Sequence, residues 1–183
     1  MAADSEADST PLPTTRALVQ QVRAAVRTSS RPKAIAAAVS AALEGHLPAP
    51  TILTPAQRQG DPRAYQQHVL HVEPDGTFSI VALVWRPGQS TAIHDHLCWC
   101  VVGVMQGVEL EARYEITDPH RREATQVAAA VNRAGSVCGM APPGDVHRVT
   151  ADGQTTISLH VYGTDIIRAG SSIRRCYVPA RSR

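Results

Sequence analysis

Two short patterns in this sequence carry residue types that do chemistry. His94-Asp95-His96 places two imidazoles at i and i+2. On a β-strand such residues point to one face, so both rings can reach a single metal ion. Alone, the pattern also suits solvated or core histidines. Ser158-x-His160-x-Tyr162 is the second pattern. On one strand it lines up a hydroxyl, an imidazole and a phenol, a set able to form a hydrogen-bonded relay. Its plain alternative is an outward polar face, with Ile157, Leu159 and Val161 toward the core. Alternation cannot choose between these two.

The elements that must position these groups follow from composition. The 183 residues suit one domain, and 43% hydrophobic with 19% charged residues is an ordinary globular balance. A net charge of +2 points to no nucleic-acid or membrane partner. No apolar run reaches the ~18 residues of a membrane span. Residues 1–13 are acidic and Pro-rich, lack the basic and apolar regions of a secretory signal, and are expected to be a disordered tail. Cys98, Cys100, Cys138 and Cys176 form no Cys-x-x-Cys pair. A cytoplasmic protein with free thiols is expected.

Leu18, Val19, Val22 and Val26 recur at helical spacing. Ser30 is a candidate N-cap for a second helix with Pro32 in its first turn, Ile35, Val39 and Leu43 on one face, and Gly45 at its end. Residues 14–47 therefore read as a helical hairpin. Beyond residue 50, strands are expected at QHVLHVE, TFSIVALVW, CVVGVMQGVELEARYEI, TQVAAAVNR, VHRVTA and TTISLHVYG, separated by turns. Such a series forms an antiparallel barrel or sandwich over 51–183, mainly β and without the strand–helix alternation of a parallel sheet. No phosphate-cradling Gly motif is present.

Placed in context, the histidines carry more. The segment runs Gly88-x5-His94-x-His96-x3-Cys100-x6-Gly107, and Pro142-x-Gly144-x2-His147 follows. This resembles the two motifs of the cupin superfamily, jelly-roll-like antiparallel β-barrels. Two positions depart from the pattern: Cys100 stands where many cupins have a Glu ligand, and Ala151 where the second motif ends in Asn. The resemblance implies His94, His96 and His147 as metal ligands. Three neutral imidazoles leave a divalent ion its full charge, which favours an anionic thiolate and leaves room for O2.

With Ser158-x-His160-x-Tyr162 added, the chain resembles the cysteine dioxygenase family of cupins, the thiol dioxygenases, over residues about 63 to 177. The resemblance implies Fe(2+) on the three histidines and Ser158, His160 and Tyr162 as a catalytic relay. It further implies both atoms of O2 added to the sulfur of a small thiol, giving a sulfinate. A thioether between Cys100 and Tyr162 is possible, as in some members. Cysteine-specific relatives carry Tyr-x-Arg on an early strand, whereas this chain has Tyr65-Gln66-Gln67. Gln67 can donate hydrogen bonds but cannot form a bidentate ion pair. The chain thus looks closer to the Gln-type enzymes that oxidise 3-mercaptopropionate, with the substrate carboxylate on a downstream Arg. Arg168 is the first candidate, with Arg174 and Arg175 behind it. Cys100 pulls the other way, because that subgroup often has Gly there, so cysteine stays open as substrate. The expected partners are the thiol and O2, in a monomer or weak homo-oligomer. A metal-bound cupin isomerase or hydrolase, and a non-catalytic thiol-binding cupin, are the alternatives.

Overall fold

A computed structural model describes residues 13–180. The expected N-terminal tail lies outside them except for Pro13, which opens the first helix, α1 (Pro13–Val26). Helix α2 spans Pro32–Leu43. Leu18, Val19, Val22 and Ala25 of α1 and Ile35, Ala36, Val39 and Leu43 of α2 are buried, as their three- and four-residue spacing requires. Gly45 follows α2 with φ 71°, a left-handed conformation that suits Gly at a helix end. Ser30 is not the N-cap. Arg31 occupies that position without a side-chain cap, and the Ser29 hydroxyl accepts from the Arg31 N–H at 3.1 Å instead. Pro32 has no N–H to satisfy, which lessens the need for a capping oxygen.

Ten strands follow: β1 (Gln66–Val72), β2 (Ser79–Trp85), β3 (Ile93–His96), β4 (Cys100–Gln106), β5 (Val108–Asp118), β6 (Glu123–Arg133), β7 (Val137–Met140), β8 (His147–Ala151), β9 (Thr156–Tyr162) and β10 (Ile173–Pro179). A short helix, α3 (Ile166–Ala169), joins the last two. One sheet has the order β1-β2-β9-β4-β7. The other, β10-β3-β8-β5-β6, closes on itself. Its closure is a short parallel pairing of β10 with β6, Val178 beside Glu123 and Pro179 beside Ala124. This is a mainly β barrel with a helical hairpin on one side, the architecture that the cupin resemblance implies.

The run CVVGVMQGVELEARYEI is two strands rather than one. Gly107, with φ 81°, breaks it where the chain leaves the first sheet for the second. A Cβ there would lie 2.5 Å from Thr156 Oγ1 and 2.9 Å from its Cα. Glycine alone fits that turn. Strands β7 and β10 were not expected, because β7 has only four residues and β10 is polar, and β3 was expected only through the His94-x-His96 pair.

Strand β9 lies between β2 and β4, so both of its edges are paired, and all seven of its residues are buried, so both of its faces are covered. Leu159 and Val161 join Ile80, Val101, Phe78 and Trp99 in a core shared with α1 and α2. Ser158, His160 and Tyr162 therefore point into the barrel, beside Leu83, Val81 and Ser79 of β2. The hairpin sits close: a Cβ on Gly139 of β7 would lie 2.5 Å from Ser40 Oγ and 3.0 Å from the Ala36 carbonyl of α2. Arg23 of α1 forks onto Glu73, just after β1, at 2.6 and 2.9 Å.

The Arg23 hydrogen bond outweighs burial and holds the Glu73 carboxyl below its ordinary range. A depressed carboxyl stabilises the fold above its unfolded pKa, and the contribution disappears as pH falls through the folded value. Glu73→Gln should lower stability by about 1–3 kcal/mol at neutral pH. In urea melts the gap from wild type should shrink as the acid range is entered. A gap that stays constant there would show that the ion pair contributes nothing.

Candidate metal centre and relay

Histidines 94 and 96 stand on one face of β3, and His147 opens β8 directly opposite His94. Their ring centroids are 4.7, 4.7 and 5.1 Å apart, and one nitrogen from each lies within 4.8 Å of the others. All three are buried. Burial lowers the His94 pKa to about 3, helped by the neighbouring His147 and His96, and also lowers that of His147. Both rings are therefore neutral near pH 7, the form that binds metal.

Each ring is fixed from behind through Nδ1. His94 Nδ1 meets the Ala92 carbonyl at 3.0 Å, His96 Nδ1 meets Asp145 Oδ2 at 3.0 Å, and His147 Nδ1 meets Glu111 Oε1 at 3.1 Å. Acceptors at all three Nδ1 atoms place the protons there and leave three Nε2 lone pairs for a ligand. His94 Nε2 and His96 Nε2 face each other at 3.2 Å. Two lone pairs in a buried site repel unless a cation binds them. The donor set fits a divalent metal with open coordination positions.

Asp145 and Glu111 did not stand out in the sequence. Asp145 lies two residues before His147 and also accepts from the His96 backbone N–H at 2.9 Å. Glu109 and Glu111 reverse the expected pattern of β5: they are 1% and 3% exposed, while Leu110 between them is 38% exposed. Burial opposes ionisation of Glu111, yet hydrogen bonds from His147 and Arg113 hold its pKa at about 2.

Beside the histidines lies the polar stripe of β9. Trp85 Nε1 donates to Ser158 Oγ at 3.1 Å, Ser158 Oγ is 3.0 Å from His160 Nε2, and Tyr162 Oη is 3.1 Å from His160 Nδ1. Burial drives the His160 pKa down to about 3, so this ring is neutral as well. Cys100 faces Tyr162 across the β4–β9 pairing. Burial raises both of their pKa values well above the ordinary range, leaving a thiol and a phenol.

A small cavity of about 50 Å³ joins the two groups, lined by the three histidines, His160 and Tyr162. Tyr65, stacked on Trp85 at 4.2 Å, and Gln67 also line it. The expected arginines do not. Arg168 is exposed on α3. Arg174 is turned onto Asp95, which alternates with His94 and His96 and so points to the opposite face. Tyr177 donates to the same carboxylate oxygen at 3.0 Å. Arg175 is exposed on β10. Among the described residues, no Arg or Lys lines the cavity.

The family model for cysteine dioxygenase type I matches residues 4–169. The chain belongs to that family. Its structural neighbours include an RmlC-like cupin protein from Desulfovibrio desulfuricans, at 17% identity and TM-score 0.42, over 56% of this chain and 86% of that one. A recombinant oxalate oxidase in complex with glycolate matches at 18% identity and TM-score 0.45, over 57% of this chain and 53% of that one. A cupin superfamily protein from Desulfitobacterium hafniense matches at 10% identity and TM-score 0.44, over 63% and 86%. Family membership gives the three-histidine cluster its setting, a thiol dioxygenase barrel with a metal-binding site.

Two consequences separate the groups behind the histidines from those on the far face. Asp145→Asn or Glu111→Gln should weaken metal retention by about 10- to 100-fold, read by competition with a chelator. Arg174→Ala strands a buried carboxylate and should cost on the order of 1–3 kcal/mol of stability in denaturant melts. Substrate KM should not change in that variant. A selective rise in KM without loss of stability would return Arg174 to the substrate site.

Proposed function

We propose that this protein is an iron(II)-dependent thiol dioxygenase that adds both atoms of O2 to the sulfur of a small thiol carboxylic acid. The balance is a thiolate plus O2 giving a sulfinate, sulfur losing four electrons and O2 gaining them. The observation that carries this reading is the convergence of a buried three-histidine cluster and the Tyr162 relay on one small cavity. Fe(2+) held by His94, His96 and His147 would supply the redox chemistry.

The chain's own residues supply position and protons. The Gln67 amide and the Tyr65 hydroxyl are the neutral donors available to the substrate carboxylate at the cavity wall. Leu83, Val102 and Val149 give the same space an apolar side. Tyr162, held by His160, donates its hydrogen bond toward the reacting atoms. The register of Cys100 opposite Tyr162 supports a thioether between them, formed with loss of two hydrogens to O2. Among the described residues, no carboxylate lines the cavity to meet a substrate ammonium. This favours a thiol acid without an amine, such as 3-mercaptopropionate, over cysteine.

Iron-loaded protein should consume O2 and form sulfinate faster with 3-mercaptopropionate than with cysteine. Tyr162→Phe should keep the fold and the metal while slowing turnover by about ten- to a thousand-fold. An oxygen electrode and mass spectrometry of the product check both. No O2 uptake with cysteine, 3-mercaptopropionate, mercaptosuccinate or cysteamine would refute the reading, and an unchanged Tyr162→Phe rate would remove the relay from it.

A further inference from the structure

The polar stripe of β9 does not end at Ser158. The Glu109 carboxyl of β5 lies against the Ser158 hydroxyl, and its Oε1 is buried without a hydrogen-bond partner. Burial pushes this carboxyl up to about 7, with Glu111 on the same strand face adding to the rise and Ser158 opposing it. The titratable groups around it are Glu111 on β5, Cys100 on β4, Cys138 on β7 and His160 beyond Ser158 on β9. Strands β6 and β8 place uncharged Asn132 and Ala151 beside it, and β2 contributes the uncharged Trp85. Arg113 is turned to Glu111 instead.

Counting protons along the chain leaves two arrangements. Ser158 Oγ has one hydrogen and two lone pairs, and one lone pair takes the Trp85 N–H. His160 is neutral and carries a single ring proton. If Glu109 is protonated, it donates to Ser158, Ser158 donates to His160 Nε2, and His160 Nδ1–H donates to Tyr162. The Tyr162 hydrogen then points to the metal-side cavity, where Ser172 also offers it an acceptor. If Glu109 is ionised, it accepts from Ser158, and His160 must donate from Nε2. Its Nδ1 then accepts the Tyr162 hydrogen, and Tyr162 turns a lone pair to the cavity.

We propose that Glu109 is the terminal member of the relay, a positioning residue whose protonation sets the direction of every hydrogen bond between it and Tyr162. The relevance of this to turnover rests on the thiol dioxygenase reading. The contacts from Ser158 to Tyr162 and the buried, unpartnered Oε1 of Glu109 stand on the geometry, and the test needs no turnover.

The test is the His160 tautomer in the full chain loaded with Zn(2+), a diamagnetic ion. Nitrogen NMR of the imidazoles reads it, with His160 assigned by its loss in His160→Gln. Between about pH 5.5 and 8.5 the proton should move from Nδ1 to Nε2 with a midpoint near neutrality, and Glu109→Gln should abolish the movement. A tautomer that stays fixed in the wild type, or one that still switches in Glu109→Gln, overturns the proposal. Infrared titration of the wild type gives a second measurement if that variant does not fold. One carboxylic acid C=O band should persist into the neutral range and vanish along the tautomer curve; its absence also overturns the proposal. In the iron-loaded enzyme, Glu109→Gln should remove one limb of the kcat pH profile and leave KM unchanged.

Discussion

Three imidazoles packed against one another in a dry interior cannot all be satisfied by one another. Each must give its single proton away from the cluster, or the lone pairs a metal needs are lost. That constraint explains the acids buried around the site. Asp145 and Glu111 would be costly inside a barrel if isolated. Here each accepts from a histidine, and Glu111 also accepts from Arg113. The loop before β8 and the inward face of β5 exist in their present form to present those two carboxylates. Metal-binding geometry is therefore written two layers deep, and the outer layer fixes the tautomer of the inner one.

The helical hairpin matters to the same problem. Strand β9 must turn Ser158, His160 and Tyr162 inward while burying Leu159 and Val161 on its other face. An uncovered antiparallel sheet would leave that second face in water. Helices α1 and α2 cover it, with Gly139 giving α2 its close approach and the Arg23–Glu73 pair tying α1 down. A strand that is apolar on one side and carries a buried polar stripe on the other needs a roof. The hairpin is that roof rather than an appendage, since it shares one core with the sheet.

Much of this was legible from residue spacing. His94 and His96 share a face because strand geometry allows nothing else, and family resemblance added His147. The hairpin followed from helical periodicity, with Gly45 ending α2 as expected. What could not be read was direction. Alternation in Ser158-x-His160-x-Tyr162 fits either face, and only the covering helices decide it. The same ambiguity hid Glu109 and Glu111, because at the start of β5 these acids point inward and Leu110 between them points outward. Strands β3 and β7 are too short for a periodic signal. Arg174 misled for a related reason: a cation near the relay in sequence is drawn to Asp95, on the far side of β3, by a buried carboxylate that spacing does not reveal.

The cavity without a lining arginine has an electrostatic logic of its own. In the proposed reaction a divalent ion sits on three neutral rings and keeps two positive charges. A thiolate cancels one, and a substrate carboxylate cancels the other, so the filled site is neutral. An arginine in the same enclosed space would leave one net charge uncompensated, which a low-dielectric interior penalises. Gln67 and Tyr65 can orient the carboxylate without adding charge. The neutral wall and the carboxylate-free ligand set are thus two parts of one balance: replacing a histidine by an acid, or Gln67 by a cation, would each shift the charge of the substrate that the cavity can hold.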